Sequence, residues 1–249
     1  MATAMNSTAS SAAQHSQTAT SLLYAGLIFG GWLALHLLGV FGLQLTGWGW
    51  LAAVPLVATL VWLNVGLFIV AHDCMHGSFA PGRPRLNLWV GRVALFVYAG
   101  FFYDRLLPKH HDHHQHAGTE HDPDFSADHP RHFWPWYVQF FRTYFGWSQI
   151  AILAAWFWGY TLLLGAPIVN TLLFWAVPSI LSSLQLFTFG TYLPHRHEED
   201  AFRDRHNARS NDYPRWLSLL TCFHFGYHHE HHAKPGTPWW RLPSIRGTT

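Results

Sequence analysis

The chain has 249 residues and a net charge of +2; charged residues make up only 11% of it, and half of its residues are hydrophobic. Soluble domains carry about a quarter charged residues, so this composition points to a membrane protein. A charge this small, with no basic run interleaved with aromatics, excludes a nucleic-acid-binding surface. The two cysteines, Cys74 and Cys222, are read as reduced thiols, with a single disulfide as the alternative.

Residues 1–21 are mostly Ala, Ser, Thr, Gln and Asn and are expected to form a disordered tail. They lack the basic start of a signal peptide. Residues 22–43, apolar but for His36, and residues 50–71, interrupted only by Thr59 and Asn64, follow as two long runs. At 1.5 Å per residue each reaches about 33 Å, enough to cross a bilayer. Residues 149–165 and 171–190 form a second pair. Pro55 and Pro178 lie inside spans, where membranes tolerate kinks.

No Asp, Glu, Lys or Arg precedes Asp73, and none lies between Tyr144 and Pro194. Each charge at a helix centre costs roughly 2.5–3.5 kcal/mol, so both charge-free tracts read as membrane-embedded. The positive-inside rule then assigns 72–146, 191–249 and both termini to the cytoplasm. Residues 86–103 are largely apolar apart from Asn87 and Arg92. A single crossing there would separate the histidine clusters on either side, so this stretch is assigned to a re-entrant or interfacial helix. The expected fold is an all-α integral membrane protein with about four transmembrane helices in two hairpins, this extra helix and a cytoplasmic histidine-box cap. Residues 22–246 are expected to be one membrane domain between tails 1–21 and 247–249.

Three clusters carry the chemistry. HDCMH supplies His72 and His76; HHDHH supplies His110, His113 and His114; HHEHH supplies His228, His231 and His232. Offsets of three and four bring side chains together on a helix, where imidazoles can converge on a cation. Two histidines four apart are ordinarily incidental, but three such clusters on one expected face are not. His36 reads as a packing residue, and His15, His129, His132 and His206 as solvated or loop residues. His111, His116 and His229 are left over within the clusters. His224, His228 and His229 form an alternative triplet, although the Gly226-Tyr227 step favours the later one. Imidazole suits Zn, Cu, Fe and Ni alike, and eight or nine histidines exceed what one ion takes, so two ions are implied. The metalloprotease pattern H-E-x-x-H is absent, as is Glu-x-x-His of soluble di-iron bundles.

The three boxes resemble those of the membrane fatty-acid desaturase and hydroxylase superfamily. Within it, the chain is similar to the bacterial-type β-carotene 4-ketolases. The residues that carry this likeness are HDCMHG from His72, the His110–His114 box with HDPDF from His121, FGTYLPH ending at His195, and GYHHEHH with the following PWWRLP. The resemblance implies a membrane oxygenase holding two iron ions, using O2 and electrons from a ferredoxin-type donor in the bacterial inner membrane. Its lipid-dissolved carotenoid substrate would be oxidised twice at C4 of a β-ionone ring: β-carotene to echinenone and canthaxanthin, and 3-hydroxylated rings towards astaxanthin. It adds His195 as a ninth ligand, from an element that reads N-x-x-x-H in related desaturases and Thr191-x-x-x-His195 here, with water able to fill a tenth position. Asp73, Asp122, Asp124 and Glu230 are then expected to accept N–H bonds from ligating imidazoles; the alternative is surface carboxylates, or a turn at Asp122-Pro123-Asp124. A carotenoid 3-hydroxylase, a membrane fatty-acid desaturase or hydroxylase, and a non-catalytic metal-binding protein are the competing readings.

Overall fold

A computed structural model describes residues 2–248, and no strand occurs among them. Helix α1 runs Ala2–Leu37 and continues as a π-helical turn, Leu38–Gly42. Next come α2 (Trp48–Met75), α3 (Pro84–Ala99), α4 (Tyr103–His116) and α5 (Phe133–Tyr144). Helix α6 (Trp147–Trp158) ends in a π turn, Gly159–Leu163. The long α7 (Ile168–His195) is interrupted by π turns at Leu172–Ala176 and Phe187–Tyr192. Three short helices close the fold: α8 (Arg215–Cys222), α9 (His228–Ala233) and α10 (Leu242–Ile245).

Three stretches are long and apolar enough to cross a membrane: Ser11–Gly42, Trp48–Met75 and Ile168–His195. The fourth expected span, 149–165, is not among them: it forms the shorter α6 and its π turn, whose Leu162 and Leu163 are highly exposed. The first expected hairpin is α1–α2; of the second, α7 alone is of spanning length.

Helix α2 is the axis of the core. From Leu63 to Met75 every side chain but Phe68 is buried. A Cβ at Gly66 would meet the Phe223 ring at 2.7 Å and Ile28 at 3.0 Å, so only glycine admits both neighbours. Trp62 stacks on Phe223 with centroids 4.5 Å apart and donates to the Leu219 carbonyl at 3.1 Å, tying α8 to α2.

Between α3 and α4 the chain turns through 99°. Gly100, at φ +67°, makes the elbow, and Arg92 closes it with two bonds to Asp104 at 3.0 and 3.1 Å. His72 and His76 precede α3, and His110, His113 and His114 follow it. All five come together in one buried region, so the chain leaves and re-enters on the same face. This is the re-entrant arrangement.

The segment expected as a disordered tail is different. Residues 11–21 continue α1, with Thr18 and Ser21 buried. Gln17 donates to the Ser78 carbonyl at 2.7 Å, Arg241 donates to Gln17 at 3.3 Å, and Trp240 donates to Ser21 at 3.3 Å. Composition suggested disorder because it carries no record of partners; here tertiary contacts with the loop after α2 and with the C-terminal segment fix a polar helix.

The π turn that ends α1 leaves carbonyls without helical donors. The Asn170 amide satisfies two of them, donating to Gly39 and Leu43 at 2.8 Å each. Unsatisfied buried acceptors cost about 1–3 kcal/mol each. Asn170→Leu should therefore lower the melting temperature of the detergent-solubilised protein; an unchanged melting curve would show that water or lipid headgroups replace the amide.

Candidate metal centre

Helix α2 carries His72 near its last turn, and His76 caps it before Gly77 turns the chain at φ +67°. Helix α4 supplies His110, His113 and His114, the end of α7 supplies His195, and α9 supplies His228, His231 and His232. These nine side chains sort into two groups. His72, His76, His110, His114 and His231 form one; His113, His195, His228 and His232 form the other. Within each, the candidate ligand atoms lie within 4.8 Å of one another.

The division follows helix geometry. Each H-x-x-H-H box gives its i and i+4 residues to one group and its i+3 residue to the other. His110 and His114 join the first group and His113 the second; His228 and His232 join the second and His231 the first. Adjacent helical residues point about 100° apart, since a turn holds 3.6 residues, so one box serves two centres. The sequence reading had set each box on a single face; the structure divides it.

In the first group His110 Nε2 lies 2.6 Å from His76 Nε2, and His231 Nε2 lies 3.0 Å from His114 Nε2. In the second, His228 Nε2 lies 2.9 Å from His195 Nε2 and 3.0 Å from His232 Nε2. The groups abut, with the His114 and His232 rings stacked at 4.2 Å. With the His195 proton on Nδ1, facing the Asn207 carbonyl, its Nε2 is a bare acceptor, and no placement of one N–H each on His228 and His232 satisfies both contacts of His228 Nε2. His72, 2% exposed, has no hydrogen-bond partner at either nitrogen, and Nδ1 of His228 and of His232 also lacks one. Buried polar atoms without partners are costly, and a cation among the convergent nitrogens relieves that cost for the atoms facing it. Burial, reinforced by neighbouring imidazoles, holds His228, His231 and His232 well below the ordinary histidine pKa, so they are neutral, the ligating form. The residues fit a histidine-ligated metal site.

Some carboxylates orient these rings and some do not. Asp122 accepts from His113 Nδ1 at 2.9 and 3.0 Å. Burial works against its charge, but His113 and the amides of Asp124 and Gly118 hold it below the usual carboxylate range. Asp124 stands 3.7 Å from the same nitrogen and accepts instead from the Tyr144 hydroxyl. Burial pushes Asp124 up to about 6. Asp73 and Glu230 depart from expectation. Asp73 accepts from the Trp239 amide at 3.1 Å and lies 3.8 Å from His72 Nδ1, too far for a hydrogen bond. Glu230 accepts from the Ser210 hydroxyl and from the Gly247 amide, the latter at 3.0 Å. Each is a helical neighbour of a histidine and so points away from it, and each anchors another part of the chain.

His195 donates from Nδ1 to the Asn207 carbonyl at 2.7 Å. Asn207 and Tyr144 were missed in the sequence because no spacing links them to the boxes. His224 stays outside both groups, in left-handed backbone at φ +63° and stacked against Tyr227. His229 pairs with Asp204 at 2.7 Å, His111 lies 3.3 Å from the Met75 carbonyl, and His36 lies 3.0 Å from the Tyr160 hydroxyl. Thr191 is buried beside these elements.

Removing a carboxylate that orients a ligating histidine ordinarily costs about 10–100-fold in metal affinity. Asp122→Asn should weaken retention of metal against a chelator by that order, with the protein still in the membrane. Unaltered retention would mean that Asp122 does not control the His113 ring.

Comparison with known proteins agrees with this geometry. The fatty acid desaturase profile matches residues 48–150 and 136–248. The chain is 52% identical to a β-carotene ketolase of Paracoccus sp. (strain N81106 / MBIC 01143), over 92% of this chain and 93% of that one. It is 52% identical to a β-carotene ketolase of Paracoccus sp. (strain PC1), over 87% of this chain and 88% of that one. A zeaxanthin 4-ketolase of Chlamydomonas reinhardtii is 42% identical over 81% of this chain and 45% of its own. No solved structure matches. With its histidine boxes inside the matched region, the chain belongs to the fatty acid desaturase family.

Proposed function

We propose that the chain is a carotenoid 4-ketolase, an oxidoreductase that converts C4 of β-ionone rings to a ketone. β-Carotene would give echinenone and then canthaxanthin, and 3-hydroxylated rings would lead towards astaxanthin. The observation that carries this reading is the pair of buried histidine groups in a chain 52% identical, nearly end to end, to proteins named β-carotene ketolase.

His72, His76, His110, His114 and His231 would hold one iron ion, and His113, His195, His228 and His232 the other. Iron there would supply the redox chemistry needed to activate O2 with electrons from an external donor, which redox-inert Zn2+ cannot. Two successive oxidations at C4, each consuming one O2, two electrons and two protons, give a gem-diol that loses water to the ketone. The residues of the chain have definite parts in this. Asp122 keeps the proton on His113 Nδ1, and the Asn207 carbonyl keeps that on His195 Nδ1, so the opposite nitrogen of each ring is free to bind. Phe225, 6% exposed, packs edge-on against His72 and His228, with centroids at 4.5 and 4.9 Å, and shields both groups from water. His110 also borders an apolar chamber walled by Phe68, Met75 and Leu186, where a hydrocarbon ring can approach the first group.

The uncharged loops at 44–49 and 166–170, against the charges of 72–146 and 191–249, support a cytoplasmic histidine cap. A soluble donor of the ferredoxin type would then reach the site from the cytoplasm while substrate arrives in the bilayer, in bacteria the inner membrane.

The test is expression in bacteria that accumulate β-carotene, followed by chromatography and mass analysis of pigments. Echinenone and canthaxanthin are expected. Rings oxidised only at C3 would overturn the ring position. Unchanged β-carotene beside metal-loaded protein would overturn the substrate in favour of a lipid. His231→Ala should abolish ketone formation with wild-type amounts of protein in the membrane, and full activity would remove the third box from the site.

A further inference from the structure

Two cavities meet beside the first histidine group. The inner one, about 100 Å3, is bordered by His110 and Asp124. The outer one, about 500 Å3, lies between α6 and α7. They share Tyr98, Phe101, Phe141, Phe145 and Ser183, which form the neck between them. The outer cavity has the size of a small-molecule site, and its lining is apolar apart from the hydroxyls of Tyr98, Ser179 and Ser183. Its rim includes Ile150, Trp158 and Ile180, which are 44%, 52% and 58% exposed. In a membrane-spanning bundle, exposed apolar side chains of this kind face acyl chains, so the cavity opens sideways into the bilayer.

We propose that this lateral opening between α6 and α7 is the entrance for the carotenoid, with one ring passing the aromatic neck to the chamber at His110 and the attached polyene lying in the outer cavity. The occupant is an apolar chain with a small ring at its end. A polar substrate would find few partners along the passage: the hydroxyls of Tyr98, Ser179 and Ser183, and at its inner end Asp124, Tyr144 and His110. A lipid-dissolved polyene, by contrast, never has to leave an apolar environment before reaching the metal ligands. Of the nine candidate ligands only His110 borders the passage, so the ring is delivered to the five-histidine group. Neck residue Ser183 has its hydroxyl occupied by Tyr137 at 2.7 Å, and its small size sets the width there.

This assignment rests on the carotenoid reading, and two measurements separate them: ketone yield in β-carotene-accumulating bacteria, and β-carotene retained by the purified protein. Ala154→Trp fills the outer cavity from an exposed position that the fold tolerates, and Ser183→Phe plugs the neck. Leu172→Trp, exposed to lipid but outside both cavities, is the control. A ring held away from the reacting geometry should react about tenfold more slowly or worse. Both cavity variants should therefore lose ketone formation to that extent and lose bound β-carotene, with wild-type metal content, while Leu172→Trp behaves as wild type. Wild-type ketone yield and retention in both cavity variants would overturn the entrance. Should Ser183→Phe not assemble, Ala154→Trp decides alone. If the wild type makes no ketone, the activity falls, and retention still judges the passage: loss in the variants supports it and persistence overturns it.

Discussion

Nine imidazoles gathered in one buried to half-buried region, with nitrogens facing nitrogens, are the constraint on which the rest of the structure depends. Its N–H groups and lone pairs are not all matched, and His72 has no hydrogen-bond partner at either nitrogen. It stays assembled because the helices that carry the rings are fixed elsewhere. The buried half of α2 sets His72 and His76; the Gly100 elbow and the Arg92–Asp104 pair return α4 to the same face. The Trp62–Phe223 stack brings in the chain leading to α9. The contacts that place the nine rings do not involve their nitrogens.

Much of this was legible in the sequence, because its physics is local. Charge-free tracts of spanning length located α1, α2 and α7, and offsets of three and four located the boxes. The need to keep the boxes on one face ruled out a crossing at 86–103. His195 came from resemblance rather than spacing, since a lone histidine at the end of a span has no pattern of its own.

The remainder depended on contacts that sequence does not record. The polar start of α1 looked disordered until Ser78, Trp240 and Arg241 supplied its partners. Asp73 and Glu230 looked like imidazole acceptors because they adjoin histidines, yet on a helix adjacency directs a side chain away. Asp122, reached through a loop, was free to turn towards His113. The sharing of each H-x-x-H-H box between two groups follows from 3.6 residues per turn, but it becomes visible only once α4 and α9 face each other.

The division of the nine histidines implies two metal centres rather than one. Metal stoichiometry tests this: protein purified without oxygen, loaded with ferrous iron, freed of excess and assayed for iron per chain. Two ions per chain are predicted for the wild type, with His228→Ala weakening one and leaving the five-histidine site filled. A single ion at saturation, or loss of all metal at once from His228→Ala protein that remains folded, would contradict the two-centre account.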